Sequence, residues 1–263
     1  MPDTSKPDPS RPDAGKIVIA CILVIGNEIL SGRTKDANIQ YLATELGQLG
    51  IRVMECRVIP DVEQTIVDTV NEVRRKFDYV FTTGGIGPTH DDITADCIAK
   101  AFGVGISEHP EAIDRMTRHY GDAALFTPAR RRMARVPHGG TLVDNPVSVA
   151  PGFQMENVFT FAGIPSVAQG MFQSMKHRLV GGDPVLARTV RTNLPEGIIA
   201  EPLGDLQKRY EDLDIGSYPA FRNAKPSVSL VLRGTDDSRL KTAAAELIQT
   251  IKGMNGEAED FTT

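Results

Sequence analysis

Three stretches of strand length, the apolar KIVIACILVI at 16–25, IRVMECRVI at 51–59 and the β-branched and aromatic DYVFTT at 78–83, are separated by two segments with helical periodicity. In the first segment, which starts at Asp36, Ile39, Leu42, Ala43, Leu46 and Leu49 recur at three- and four-residue intervals, and Gly50 closes it. In the second, from Asp61, the residues Ile66, Val70, Val73 and Phe77 supply the apolar face. A helix between two strands carries the chain back across the sheet, so such an alternation builds parallel strands. Parallel strands are buried on both faces and read as continuous apolar runs, as 17–25 does. The chain is therefore α/β, with helices expected on both faces of a mostly parallel sheet.

The third run leads into TTGGIGPTHDDIT at 82–94, and ITADCIAKAF at 93–102 reads as a helix. Gly84, Gly85 and Gly87 allow positive φ and close approach of backbone to a ligand, and free N–H groups at a helix start favour an anion. Asp91 and Asp92 stand beside this turn, where a carboxylate pair suits Mg²⁺ bound together with substrate phosphates. Capping of the following helix is the competing role for either aspartate. Asp61, with Gln64 three residues on, fits a capping box, and it also falls at the C-terminal edge of the sheet, where ligands of α/β proteins sit. Glu28, in the GNEILSG loop at 26–32, is a third acid at that edge, and Asn38 opens the next helix. His90 has no metal-spaced partner. Arg130, Arg131, Arg132 and Arg135 suit either a diphosphate or a solvated helix face.

Further along, 108–120 and 127–135 read as helices, GTLVDNPVSVAPGF at 140–153 is turn-rich with a short strand, VFTFAG at 158–163 is a buried strand and IPSVAQGMFQSMKHRL at 164–179 a helix. GGD at 181–183 followed by Pro184 marks a linker. Beyond it the pattern is strand 185–193, helix 197–211, strands 214–219 and 226–234, and helix 236–252, a small α+β unit of the β-α-β-β-α type. The expected organisation is a disordered tail at 1–15, a large domain at 16–180, a small domain at 184–255 and a loose tail at 256–263.

The 263 residues are 41% hydrophobic with a formal net charge of −5, a balance that disfavours broad binding to nucleic acid or anionic membranes. Cys21, Cys56 and Cys97 are odd in number and lack CxxC spacing, so neither a disulfide framework nor a zinc site is indicated and a reducing cytoplasm is expected. The apolar stretch from Ile17 to Ile25 is far shorter than the roughly 20 residues of a membrane helix. GxSxG, HExxH, a P-loop and a GxGxxG in Rossmann position are all absent, which disfavours several standard enzyme classes.

TTGGIGPTHDDIT, with GNEILSG before it and APGF and AGIP after it, closely resembles the MoaB/Mog molybdopterin-binding family, and in particular the N-terminal region of CinA proteins. The resemblance spans about residues 16–178. It implies a three-layer α/β/α domain, followed by a KH-like β-α-β-β-α domain. The CinA amidase domain has no counterpart in these residues, so nicotinamide-mononucleotide deamidation is not expected. In Mog-type adenylyltransferases one aspartate after the second strand and one after TTGG are associated with catalysis, and these match Asp61 and Asp92. CinA-type domains are associated with metal-dependent cleavage of ADP-ribose.

The resemblance thus implies catalysis by Asp61 and Asp92, and a divalent metal such as Mg²⁺ on Asp91 and Asp92. Ligand contacts are implied for Glu28, Asn38, Thr83, Gly84, Gly85, Gly87, Thr94, Gly163 and Pro165. The expected ligand is a nucleotide diphosphate or a pterin phosphate such as molybdopterin. The expected partner is a second copy of the chain, with no nucleic acid and no membrane. Non-catalytic binding and molybdopterin adenylylation stand as alternatives to hydrolysis. Ala162, Val167 and Asn27 depart from the CinA pattern of proline, glutamate and Thr or Asp, in loops expected to line the cleft.

Overall fold

A computed structural model describes the protein over residues 17–122, 124–222 and 225–261, which divide into two compact units, one ending at Gly182 and one starting at Asp183. The tail expected at 1–15 lies outside the described residues.

The first unit runs β1 (Val18–Ile25), α1 (Asn27–Leu30), α2 (Asn38–Gln48), β2 (Ile51–Ile59), α3 (Glu63–Lys76), β3 (Tyr79–Thr83) and α4 (Thr94–Phe102). It continues with β4 (Ile106–Glu108), α5 (Pro110–Tyr120), α6 (Pro128–Arg131), β5 (Arg135–Pro137), β6 (Thr141–Val143), β7 (Gly152–Met155), β8 (Val158–Phe161) and α7 (Pro165–Met175). The main sheet has the order β2-β1-β3-β8-β7-β6. Its β2, β1, β3 and β8 pair in parallel, while β7 is antiparallel to both neighbours. A separate antiparallel pair joins β4 to β5 across the intervening α5 and α6.

β1 shows why the unit has three layers. Its Cys21, Leu23 and Ile25 join a core with α3, α4 and α5 residues such as Val70, Ile98 and Met116. The alternate Ala20, Ile22 and Val24 join a second core with Leu42 and Leu46 of α2 and Met171 and Phe172 of α7. Strand periodicity of two puts the two sets on opposite faces, and both faces are covered. On the α2/α7 side, Phe81 and Phe159 are register partners on β3 and β8 and stack with centroids 5.3 Å apart.

The second unit runs β9 (Leu186–Thr192), α8 (Glu196–Arg209), β10 (Asp214–Arg222), β11 (Lys225–Gly234), α9 (Asp237–Gly253) and β12 (Ala258–Asp260). Its antiparallel sheet has the order β10-β11-β9-β12, and Ile199, Leu206, Leu240 and Leu247 of the two helices close over Val190, Leu230 and Leu232. The β-α-β-β-α arrangement is the one the pattern predicts.

Three local expectations need correction. GNEILSG is not all loop: residues 27–30 form a helical turn, α1. The 127–135 helix is only α6 followed by a 3₁₀ turn at Arg132–Ala134. The expected tail at 256–263 contains β12, which pairs with β9. Its acidic side chains hid it, because an edge strand is held by main-chain bonds. Gly256 makes the turn into it, where a Cβ would lie 2.6 Å from Leu194 Cγ.

Cys21 and Cys97 are buried, and burial pushes both thiols up to about 12. A native protein treated with a thiol reagent at neutral pH is expected to label only the exposed Cys56, with two more groups appearing on unfolding. In the unfolded chain these thiols ionise near the ordinary 9.0, so stability contributed by the neutral thiols is full below that pH and falls as pH rises towards about 12. Urea titrations at pH 7 and pH 10 check the sign.

Candidate functional site

The register between β1 and β2 sets the first half of the site. Ala20 pairs with Val53 but Cys21 pairs with Glu55, so Met54 is an extra residue in β2. Such a bulge steps one strand past the other by one residue. As a result Ile25 faces Ile59, and the Gly26 N–H donates to the Ile59 carbonyl at 3.1 Å. One position further, the Asn27 N–H donates to Asp61 Oδ2 at 2.9 Å.

This bond corrects the capping expectation. α3 begins at Glu63 with Val62 as its cap residue and no side-chain cap, and the Gln64 side chain donates to Asp68 instead. Asp61 does serve a helix start, but that of α1, on the neighbouring strand's connection. A carboxylate there satisfies an otherwise orphan donor and suits the helix dipole. Among the described residues, Asp61 Oδ1 has no protein partner.

The glycine turn after β3 supplies the second half. Gly84 has φ +101° and the Gly84 N–H donates to the Phe161 carbonyl at 3.1 Å. A Cβ on Gly84 would lie 2.1 Å from the Ile25 carbonyl oxygen, so the turn passes directly over the end of β1. Gly85 has φ +68° and covers Thr94, whose Oγ1 a Cβ would meet at 2.0 Å. Among the described residues, no acceptor takes the N–H groups of Gly85, Ile86 or Gly87.

Asp92 folds back under the same turn: its Oδ2 accepts from the Thr89 N–H at 2.8 Å and from the Thr89 hydroxyl. A Cβ on Gly87 would meet that oxygen at 2.6 Å. The Thr89 hydroxyl has one hydrogen to share between Asp92 and Asp91, and with Asp91's own backbone N–H it holds the exposed Asp91 carboxyl below the usual carboxylate range. His90 is almost fully exposed, 4.0 Å from Asp91. The arginines are committed elsewhere: Arg131 pairs with Glu108, and Arg135 grips Asp96 through two bonds of 2.9 and 2.6 Å. Arg130 donates to the Leu125 carbonyl, while Arg132 reaches the Asp92 main-chain carbonyl at 3.4 Å.

These parts enclose a cleft of about 500 Å³ at the C-terminal ends of β1, β2, β3 and β8. Because β2 and β3 leave β1 on opposite sides, this is the topological switch point where α/β sheets open a crevice. Glu28, Asp61, Gly84, Gly85, Gly87, Asp91, Asp92, Gly163 and Pro165 all line it. Asn38, Thr83 and Thr94 do not; they are buried beneath it. Asn38 Nδ2 donates to the Gly163 carbonyl at 2.9 Å and so ties α2 to the loop after β8.

The cleft lining carries four carboxylates and no Lys or Arg. Among the described residues no three His, Cys, Asp or Glu side chains converge as a ready metal cage. The donor set is one of hard oxygens around free N–H groups. It suits a cation completed by an anionic ligand rather than a cation held by protein alone.

The sequence reading missed Thr34, Met133, Asn145, Ser148 and Ala150, which also line the cleft. Asn145 and its loop carried one signal, the DNP turn signature before the APGF motif.

Residues 21–181 match the family model described as a probable molybdopterin binding domain. The chain belongs to that family. Over the second unit, residues 184–256 match a model described as FAD synthase, middle domain. A protein of Archaeoglobus fulgidus is 32% identical over 86% of this chain and 94% of its own length. One of Pyrobaculum aerophilum is 31% identical over 93% and 98%. Among solved structures, the CinA protein of Thermoplasma acidophilum, titled as of unknown function, is 30% identical with a TM-score of 0.57, covering 61% of this chain and 96% of that one. This molybdopterin-binding domain thus has a CinA-type neighbour, in agreement with the resemblance carried by its motifs. Among the described residues no helix is long and apolar enough to cross a membrane.

Gly84 is where the glycine turn presses hardest on another backbone. Gly84→Ala combines an unfavourable φ with a backbone clash, and is expected to cost at least about 3 kcal/mol, read as a lower urea midpoint at unchanged slope. A loss below about 1 kcal/mol would mean that the turn does not press on β1 as described.

Proposed function

We propose that the cleft binds a nucleotide diphosphate, or a pterin carrying a phosphate, together with a divalent cation, and hydrolyses the phosphoanhydride, with ADP-ribose the leading substrate. The observation that carries this reading is the electrostatics of the lining: free glycine-turn N–H groups beside four carboxylates, with Arg132 and Arg135 in an adjoining pocket that shares Gly87 and Asp92 rather than in the lining itself. An anhydride brought in alone meets like charge. With a cation it meets both of the partners it needs, backbone donors for its oxygens and carboxylates for the metal. When bound, the cation would neutralise charge on the phosphoryl oxygens during displacement.

The roles of the chain's own groups follow from their free atoms. Gly85, Ile86 and Gly87 hold phosphate oxygens by their N–H groups. Asp92, anchored through Oδ2 by Thr89, keeps Oδ1 for the cation, and Asp91 is exposed and ionised beside it. Asp61, anchored through Oδ2 by Asn27, keeps Oδ1 to orient a water. That water adds to one phosphorus while the bridging P–O bond breaks, releasing AMP and ribose 5-phosphate from ADP-ribose and passing its proton to a carboxylate.

Adenylyl transfer from ATP to molybdopterin is the second reading, favoured by the family model matched at 21–181. The match of residues 184–256 to a FAD synthase domain adds FAD to the substrates worth screening.

Purified protein with Mg²⁺ or Mn²⁺ is expected to release AMP from ADP-ribose. Asp92→Ala should lower that rate at least about 100-fold while costing only about 0.5–2 kcal/mol in stability, the range for loss of a cap-like contact. If ADP-ribose, NADH and FAD all survive with every metal tried, the hydrolase reading is wrong. Transfer of adenylate to molybdopterin under the same conditions would replace it with the second.

A further inference from the structure

The loop 144–150 is built around one side chain. Asn145 is only 8% exposed, and both ends of its amide are spent within the loop. Its Nδ2 donates to Ser148 Oγ at 2.7 Å and to the Ala150 carbonyl at 2.8 Å. Its Oδ1 accepts from the Val147 and Ser148 N–H groups, each at 3.0 Å. Two donors and two lone pairs are the whole capacity of an asparagine amide. Although Asn145 lines the cleft, it has nothing left to offer a ligand.

The conformation it holds is one the sequence resists. Val149 has φ +64°, a left-handed backbone that a β-branched residue adopts only when its surroundings force it, at about 1–3 kcal/mol. Its side chain packs against the core on the α3/α4/α5 face, while its neighbours Ser148 and Ala150 line the cleft. The loop is also seated from outside. α7 has a glycine at 170, where a Cβ would lie 3.2 Å from both Pro146 and Val147, and Ser174 Oγ donates to the Asp144 carbonyl at 2.9 Å. Two main-chain bonds close the turn around Val149, the Ala150 N–H donating to the Ser148 carbonyl at 2.8 Å and the Val149 N–H to the Asn145 carbonyl at 3.2 Å; the Asn145 amide, bonded to the residues on both sides of Val149, is the side-chain clamp on that turn.

We propose that Asn145 is a positioning residue for the cleft: it holds the strained 145–150 segment in place and so fixes the Ser148 and Ala150 wall against which a ligand on the glycine turn must fit. The ligand half of this assignment rests on the hydrolase reading above; the conformational half does not.

The test uses Asn145→Ala, Val149→Gly and the double variant of the full chain. In ligand-free protein, amide exchange at Val147 and Ser148 should rise at least about 10-fold in Asn145→Ala, with the β1 and β3 amides unchanged. With Mg²⁺ and ADP-ribose, KM should rise about 10-fold with kcat within about 3-fold, and the double variant should recover most of that loss, because glycine takes positive φ without strain. A residue that merely stabilised the fold would lower Tm without a KM-against-kcat split and without rescue by glycine. Should Asn145→Ala not fold, Asn145→Asp, which keeps the acceptor and loses both donors, is read by the same KM and rescue criteria. Unchanged exchange, raised exchange with unchanged KM, or a double variant no better than the single would each overturn the proposal. If wild-type protein leaves ADP-ribose intact, the hydrolase reading falls by itself, and the exchange measurement alone decides the loop.

Discussion

The contact on which the site depends is between two backbones. Gly84 lies against the Ile25 carbonyl with no room for a side chain, and Gly163 meets Gly84 at ordinary van der Waals distance, its missing Cβ 3.4 Å from the Gly84 Cα. Three chain connections, after β1, β3 and β8, are thus nested without side chains between them. This is what allows free N–H groups and carboxylates from separate strands to share one cleft. It also couples the site to the core directly, since each of those strands is buried on both faces.

Charge sets the second constraint. Four carboxylates without a compensating base are unfavourable together, and the chain reduces the conflict by tying individual oxygens down. Asp61 is bonded to Asn27, Asp92 to Thr89, and Glu28 is curled over Gly26, whose missing Cβ would lie 2.5 Å from Oε1. Among the described residues, Asp61 and Asp92 each have one oxygen held by a backbone N–H and the other free. A site so arranged gains most from a cation that arrives with its own anion.

How much of this was legible in the sequence depends on how local each cause is. The parallel strands β1, β2, β3 and β8 and the helices α2, α3, α4 and α7 follow from apolar periodicity, which is a property of neighbouring residues, whereas the short strands β4 to β7 and the α6 turn carry too few residues to show a period. The motifs point to the cleft but not to the facing of each side chain: Asn38, Thr83 and Thr94 lie buried beneath it, Asn38 Nδ2 donating to the Gly163 carbonyl while the Thr83 and Thr94 hydroxyls meet no protein partner among the described residues. α1 escaped notice because the carboxylate that supports its first turn lies 34 residues away. Asp61 looked like a cap for the helix that follows it, since capping boxes are defined by sequence spacing, whereas the donor that it meets was set by strand register. The DNP signature marks a turn at Asn145 but not its course, because Val149 takes a positive φ against its own residue's preference.

The bulge at Met54 gives this register an unexpected owner. Without the extra residue, every partner of β1 beyond Ala20 would shift by one, and position 61 would no longer stand opposite Asn27. The address of the acid is therefore written in an exposed stretch of an edge strand seven positions earlier, where side-chain chemistry matters little and residue count matters absolutely. Substitutions at Met54 should drift freely among related chains, while insertions and deletions anywhere from Met54 to Pro60 should be rare. Length, rather than identity, is what that segment contributes to the site.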